Sequence, residues 1–279
     1  MKHWKPAAIA ALWSGALYAA PMPVVASFSI LGDVAQQIGG ERVAVQSLVG
    51  ANQDAHAYNL TSSDIKKIRE ARLVLLNGLG LEKAELQRAV KQSKVASAEA
   101  TAGIKPLAAD EHHHEHNHGH DHDHGEFDPH VWNDPVLMQR YAANVAIALI
   151  KADPAGSRYY QQRFKDYQNV LNQLNNYANQ QFGAVAPAKR KVLTGHDSFA
   201  YLGKRYQVKF ISPQGVSSEA EPSARQIAAI IRQIKAENVK AVFTENIKDG
   251  RMIARIAKET GVKVSGGIYA DALSSGAPS

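Results

Sequence analysis

Eight of the twelve histidines in this chain fall within one short stretch. They are His112, His113, His114, His116, His118, His120, His122 and His124, interleaved with Glu115, Asn117, Asp121 and Asp123. Imidazole and carboxylate at this density suit borderline metals such as zinc. An ordinary solvated loop uses Lys, Glu and Ser instead, and an internal run mixed with acidic residues is unlike an expression tag. Setting the run and His3 aside leaves His56, His130 and His196. His56 stands in Asp54-Ala55-His56-Ala57-Tyr58, His130 in Asp128-Pro129-His130-Val131-Trp132, and His196 in Gly195-His196-Asp197-Ser198-Phe199. Each place reads as a loop leading from a strand or irregular segment into a helix. Loops beyond the carboxyl ends of parallel strands form ligand crevices. A lone histidine there is usually packed or capping. Three in equivalent places, in a chain that also carries a metal-binding tract, point to a metal centre. Their separations along the chain do not by themselves show that they converge.

The elements that must position them alternate. Val24–Ser29, Val43–Val49, Leu73–Leu76 and Lys94–Ser97 read as strands, with helices at Leu31–Ile38 and Asp64–Ala71, the latter capped by Ser62 or Ser63. The rhythm returns in strands at Lys191–Thr194, Val208–Ile211, Ala241–Thr244 and Val262–Ser265, with helices at Phe199–Arg205, Ala224–Lys235 and Met252–Glu259. Strands interleaved with helices imply parallel sheets. Between the halves, Asp153-Pro154 is a helix-start signal. Tyr160, Phe164, Tyr167, Leu171, Leu174 and Ala178 then recur at steps of four and three, one face of a single long helix reaching Phe182. The expected fold is α/β: two parallel-sheet lobes joined by one long rigid helix. The lobes are placed at 20–153, with a His-rich loop at 110–127, and at 184–279, with the linking helix at 154–183.

The first residues read as a secretory signal over 1–19. Lys2 and Lys5 precede an apolar run from Ala7 to Leu17 that is too short to span a bilayer, and Ala19 is a suitable cleavage point. No Cys is present, so this signal carries no acylation site and no disulfides form. A formal charge of +6, with no basic run interleaved with aromatics, disfavours nucleic acid as a partner. Nothing after the signal is apolar enough for stable membrane insertion, and the periplasm is the expected compartment.

Asp128-Pro129-His130-Val131-Trp132, Gly195-His196-Asp197-Ser198-Phe199, Ser218-Glu219-Ala220-Glu221-Pro222-Ser223 and the acidic His-rich loop together resemble the periplasmic zinc-binding proteins of ATP-driven metal importers, of the ZnuA and TroA kind. The resemblance covers nearly all of the chain after the signal. It implies a metal in the interlobe cleft, held by His56, His130 and His196 with a carboxylate from the second lobe, which Asp271 matches. It further implies a monomer that delivers its metal to the ABC permease of the inner membrane. Ala55 stands where some zinc members have an acidic residue, which favours Asp271 as fourth ligand over water. The family usually continues into a further helix after Asp271, so the 184–279 lobe is expected to be truncated.

Imidazole suits zinc, and three His with one Asp give four N/O ligands for a tetrahedral ion. Zn2+ therefore ranks ahead of Mn2+, which wants more oxygen. A closed shell leaves no position for a reacting water, so no enzyme activity is expected. A zinc storage or buffering protein, needing only the His-rich loop, and a three-His zinc hydrolase are the alternatives. Asp197, Glu219, Glu221 and Glu245 read as caps and loop acceptors rather than ligands, and Trp132 and Phe199 as packing beside the site.

Overall fold

The computed structural model describes residues 20–109 and 127–276. The signal at 1–19 and all eight histidines of the His-rich run lie outside the described residues. The first sheet holds β1 (Met22–Phe28), β2 (Val43–Val49), β3 (Leu73–Leu76) and β4 (Ala96–Glu99), in the order β2-β1-β3-β4. The second holds β5 (Lys191–Leu193), β6 (Lys209–Ile211), β7 (Ala241–Glu245) and β8 (Gly266–Ile268), in the order β6-β5-β7-β8. Every strand pair is parallel. Both lobes thus repeat one topology, with the order reversing beside β1 and beside β5.

Apolar strands buried on both faces need helices on both sides. In the first lobe α1 (Ser29–Gly39) and α4 (Pro135–Ala152) cover one face, where Phe28, Leu31, Ile38, Tyr141 and Leu149 are buried together. On the other face α2 (Ser62–Glu70) and α3 (Ala84–Ser93) bring Ile68, Leu86 and Val90 against Val25, Val74 and Leu76. In the second lobe α6 (Ala200–Tyr206) follows β5, while α7 (Ala224–Glu237) and α8 (Arg251–Thr260) bury Ile230, Ile234, Ile253 and Ile256 against Leu193 and Val242.

Local chemistry sets the boundaries. Thr61, not Ser62 or Ser63, caps α2, because Thr61 and Asp64 exchange side-chain and backbone bonds in a capping box. Asp134 caps α4, accepting from the amides of Val136 and Leu137, with Pro135 at the first helical position. The last strand lies at Gly266–Ile268, beyond the expected Val262–Ser265. Gly261 ends α8 in the left-handed conformation, the Val262 amide closes back on Ala257, and Val262 and Val264 spend their side chains on the core instead of on pairing.

Between the lobes runs α5 (Ser157–Gly183), 27 residues in one piece and about 40 Å long at 1.5 Å per residue. The turn expected to begin it, Pro154–Gly156, is a 3-10 turn, and Asp153 does not cap it. The Asp153 carboxylate instead accepts from Arg42 at 2.7 Å and from the Tyr160 hydroxyl at 2.7 Å. Gly156 is required here, since a Cβ would lie 2.5 Å from Arg42 Nε. Tyr160 and Leu171 are buried and Phe164 and Tyr167 pack against the first core, but Leu174 is 50% exposed, because the stripe runs off the end of the first lobe.

The lobes meet at Asp134, whose carboxylate also receives Arg205 of α6 at 2.7 Å. Asp134→Ala should therefore lower unfolding stability by about 1 kcal/mol or more through the lost cap, whereas Asp134→Asn, which can still cap, should lose less. Urea melts of the two variants check the order.

Candidate metal centre

Each of the four residues lies beyond the carboxyl end of a strand. His56 sits in the loop after β2, His130 opens a 3-10 turn that leads into α4, His196 follows β5, and Asp271 follows β8. Parallel order turns all these loops to one end of each sheet. Contacts across the cleft then fix the halves against each other. Trp132 Nε1 donates to the Ala270 carbonyl at 2.8 Å, Asn133 donates to the Ser198 carbonyl at 2.8 Å, and the Tyr201 hydroxyl donates to the Asp128 carbonyl at 2.7 Å.

One ligand atom from each of His56, His130, His196 and Asp271 lies within 4.8 Å of the other three, and all four residues are buried. His56 Nε2 is 3.1 Å from His130 Nε2 and 3.3 Å from Asp271 Oδ2. His196 Nε2 is 3.0 Å from Asp271 Oδ2, and His130 Nε2 is 3.5 Å from Asp271 Oδ1. A tetrahedral zinc with bonds of about 2.0–2.1 Å needs ligand atoms about 3.3 Å apart. Asp271 Oδ1 is buried with no hydrogen-bond partner, a cost that a bound cation would remove. The donor set and its spacing fit one small divalent ion.

Two further carboxylates set the rings. Asp128 Oδ1 accepts from His130 Nδ1 at 2.7 Å and from the His130 amide at 2.9 Å. Glu245 Oε2 accepts from His196 Nδ1 at 2.6 Å, while its Oε1 accepts from the amides of Gly195 and His196. A Cβ at Gly195 would sit 3.1 Å from the Glu245 carboxylate, so glycine lets that carboxylate approach. With Nδ1 occupied, both rings turn Nε2 to the centre, the usual device for orienting a metal-binding imidazole. Sequence reading places Glu245 among loop acceptors, and it accepts three hydrogen bonds here. It does not single out Asp128, although a place two residues before His130 is a visible signal. Of the other residues weighed, Glu219 pairs with Lys83 at 2.6 Å, Trp132 stands edge-on to His130, and Phe199 stacks on Phe210.

The electrostatics follow from burial and this neighbour set. Burial opposes charge on His130, yet the Asp271 and Asp128 carboxylates outweigh it and raise its pKa to about 9. His196 moves the same way, with Asp271 and Glu245 overcoming burial. His56 goes down, because burial outweighs its contact with Asp271. Burial pushes Asp271 up, but the surrounding imidazoles hold it well below the usual carboxylate range.

A sequence-family profile described as "Zinc-uptake complex component A periplasmic" matches residues 24–279. The manganese-binding lipoprotein MntA of Bacillus subtilis is 31% identical, over 90% of this chain and 81% of its own length. A manganese-bound periplasmic metal-binding protein from Candidatus Liberibacter asiaticus superposes with a TM-score of 0.79 at 27% identity, over 92% of each chain. The periplasmic zinc-binding protein TroA of Treponema pallidum superposes with a TM-score of 0.83 at 24% identity, again over 92% of each, and shows the shared fold. The chain belongs to the zinc-uptake complex component A family.

The shifted histidines give a prediction for the metal-free protein. His130 has a folded pKa above its unfolded value, so its contribution to stability is full below about pH 6.5 and is lost as pH rises through about 9. His196 acts in the same direction. His56, shifted down, contributes above about pH 6.5 instead. Nitrogen-15 NMR of the chelated protein should find His130 protonated at pH 8 and His56 neutral at pH 7. Its melting temperature should fall between pH 6.5 and 9, and a His130→Gln variant should show a shallower fall.

Proposed function

We propose that this chain is a periplasmic solute-binding protein that captures Zn2+ and hands it to an ABC-type permease of the inner membrane. The observation that carries this reading is the convergence of His56, His130, His196 and Asp271 on one buried point between two lobes. The site residues come from opposite sides of a cleft, the arrangement a carrier needs to enclose its cargo and later surrender it.

Donor chemistry selects the metal. Relatives of this chain carry manganese-binding names, but manganese prefers oxygen, and the set here is three imidazole nitrogens and one carboxylate. Zinc accepts such a set without a geometric preference of its own. Asp271 as fourth ligand leaves no open position for a reacting water, which argues for carriage rather than hydrolysis. A storage role would rest on His112–His124 alone and would leave the cleft residues without a task. In the proposed scheme those histidines are weak accessory ligands beside the tight site. A leader over 1–19 exports the chain, which works as a monomer with lobes at 20–153 and 184–279.

Calorimetry on protein lacking residues 111–126 tests the reading. One tight zinc per chain is expected, and zinc at one hundred times its Kd should stabilise the fold by about 2.7 kcal/mol. Orienting residues around metals are worth about 10–100-fold in affinity. Asp128→Asn should therefore weaken zinc within that range, and His130→Ala by more. Retained affinity in His130→Ala, or tighter manganese than zinc in the parent, overturns the assignment.

A further inference from the structure

The three imidazoles are not held alike. His130 and His196 are each fixed at Nδ1 by a carboxylate of their own lobe, Asp128 and Glu245. For His56 the contacts seen are at Nε2, within the cluster. His56 rides on the segment 50–61, which contains no helix or strand. What fixes that segment is Asp54, whose Oδ1 accepts from the amides of His56 at 3.0 Å and Ala57 at 3.4 Å.

Asp54 is in turn held from across the cleft. Its Oδ2 accepts from Ser218 Oγ of the second lobe at 2.6 Å. Ser218 is fully buried, and its carbonyl accepts from Gln214 Nε2 at 3.1 Å and from Lys248 Nζ. Two more second-lobe bonds grip the same segment: the Asn52 amide donates to Leu273 at 2.9 Å, and Asn246 Nδ2 donates to Asn52 Oδ1 at 2.9 Å. Its own lobe holds its far end: Ala55 is in the first core, Tyr58 and Leu60 pack on that lobe, and Thr61 caps α2. A cavity of about 290 Å³ lies on the first-lobe side, with Ala55, Tyr58, Asn59 and Leu60 of the segment in its wall and Val49 and Leu86 opposite. The His56 arm is therefore held by both lobes, and the opposite lobe's share of that hold runs through Asp54 and Asn52.

We propose that Ser218 is a positioning residue for the metal: acting through Asp54, it holds His56 in the ligand position, so that loss of this contact loosens the His56 arm and speeds release of the metal. This rests on the four-residue centre described above. The contact thereby ties a first-lobe site residue to the second lobe. It also gives the Ser218–Ser223 run a task that its sequence alone did not suggest.

The experiment has one arm that needs no metal. In Ser218→Ala, and separately in Asp54→Asn, amide hydrogen exchange of metal-free protein should speed up roughly tenfold at His56 and Ala57, the loss expected for a hydrogen bond to a charged acceptor. Exchange at His196 and Glu245 should stay at the parent rate, which general destabilisation would not allow. The second arm follows zinc dissociation into excess chelator by stopped flow, where both variants should release zinc about ten times faster than the parent. Unchanged exchange at His56 and Ala57 overturns the proposal, as does faster exchange with an unchanged zinc release rate. A parent protein that binds no zinc while Ser218→Ala still loosens the arm would instead sink the metal reading and leave the hold of Ser218 on the arm standing.

Discussion

A carboxylate with no exposure to water sits at the centre of this molecule, facing three imidazoles. Burying Asp271 as an anion is costly unless positive charge meets it, and the protein meets it with imidazolium protons or a metal ion. Much else follows from that one requirement. His196 meets it from its own lobe, and His56 and His130 add to this from the other lobe when the two are together. Asp271 is held in turn by its neighbours, through the Trp132 indole on Ala270 and the Ser29 hydroxyl that receives the Leu273 amide. The cleft interface is thus organised around a single negative charge.

Two identical sheet orders make this economical. Because all strands in each lobe run the same way, every loop that carries one of the four clustered residues emerges at the same end, and two such ends opposed make a cleft without any special element. The long α5 joins the lobes, and its buried half, around Tyr160 and Leu171, belongs to the first lobe's core. The clamp of Arg42 and Tyr160 on Asp153 secures the turn from α4 into α5, so the helix leaves the first lobe in a fixed direction.

What could be read from sequence is what rests on local pattern. The β2 and β3 ranges coincide with the observed strands, and the α5 stripe gives a helix of nearly the observed length, since apolar periodicity and turn residues determine both. His56, His130 and His196 stand out because few other histidines compete with them, and Asp271 comes from the family resemblance. The last strand is missed because Val262 and Val264 have strand-like side chains that serve the core, while Gly266 and Gly267 carry no β signal yet pair with β7. That Glu245, expected as a loop acceptor, orients His196, and that Ser218 holds Asp54, escape for a different reason. Their roles depend on partners 49 and 164 residues away, and no local pattern encodes a meeting at that distance. The cap of α2 shows the same rule at short range, where Thr61 wins over Ser62 because Asp64 answers it.

The order of the ligands along the chain has a consequence for biosynthesis. His56 and His130 are 74 residues apart, and His196 precedes Asp271 by 75. A polypeptide made from its N-terminus shows its first histidines to the surroundings long before its carboxylate exists. The three histidines and the His-rich run all precede it, so the four-residue set is complete only once Asp271 has been made. The cluster of four residues forms only once β8 has paired with β7 and brought Asp271 to the histidines.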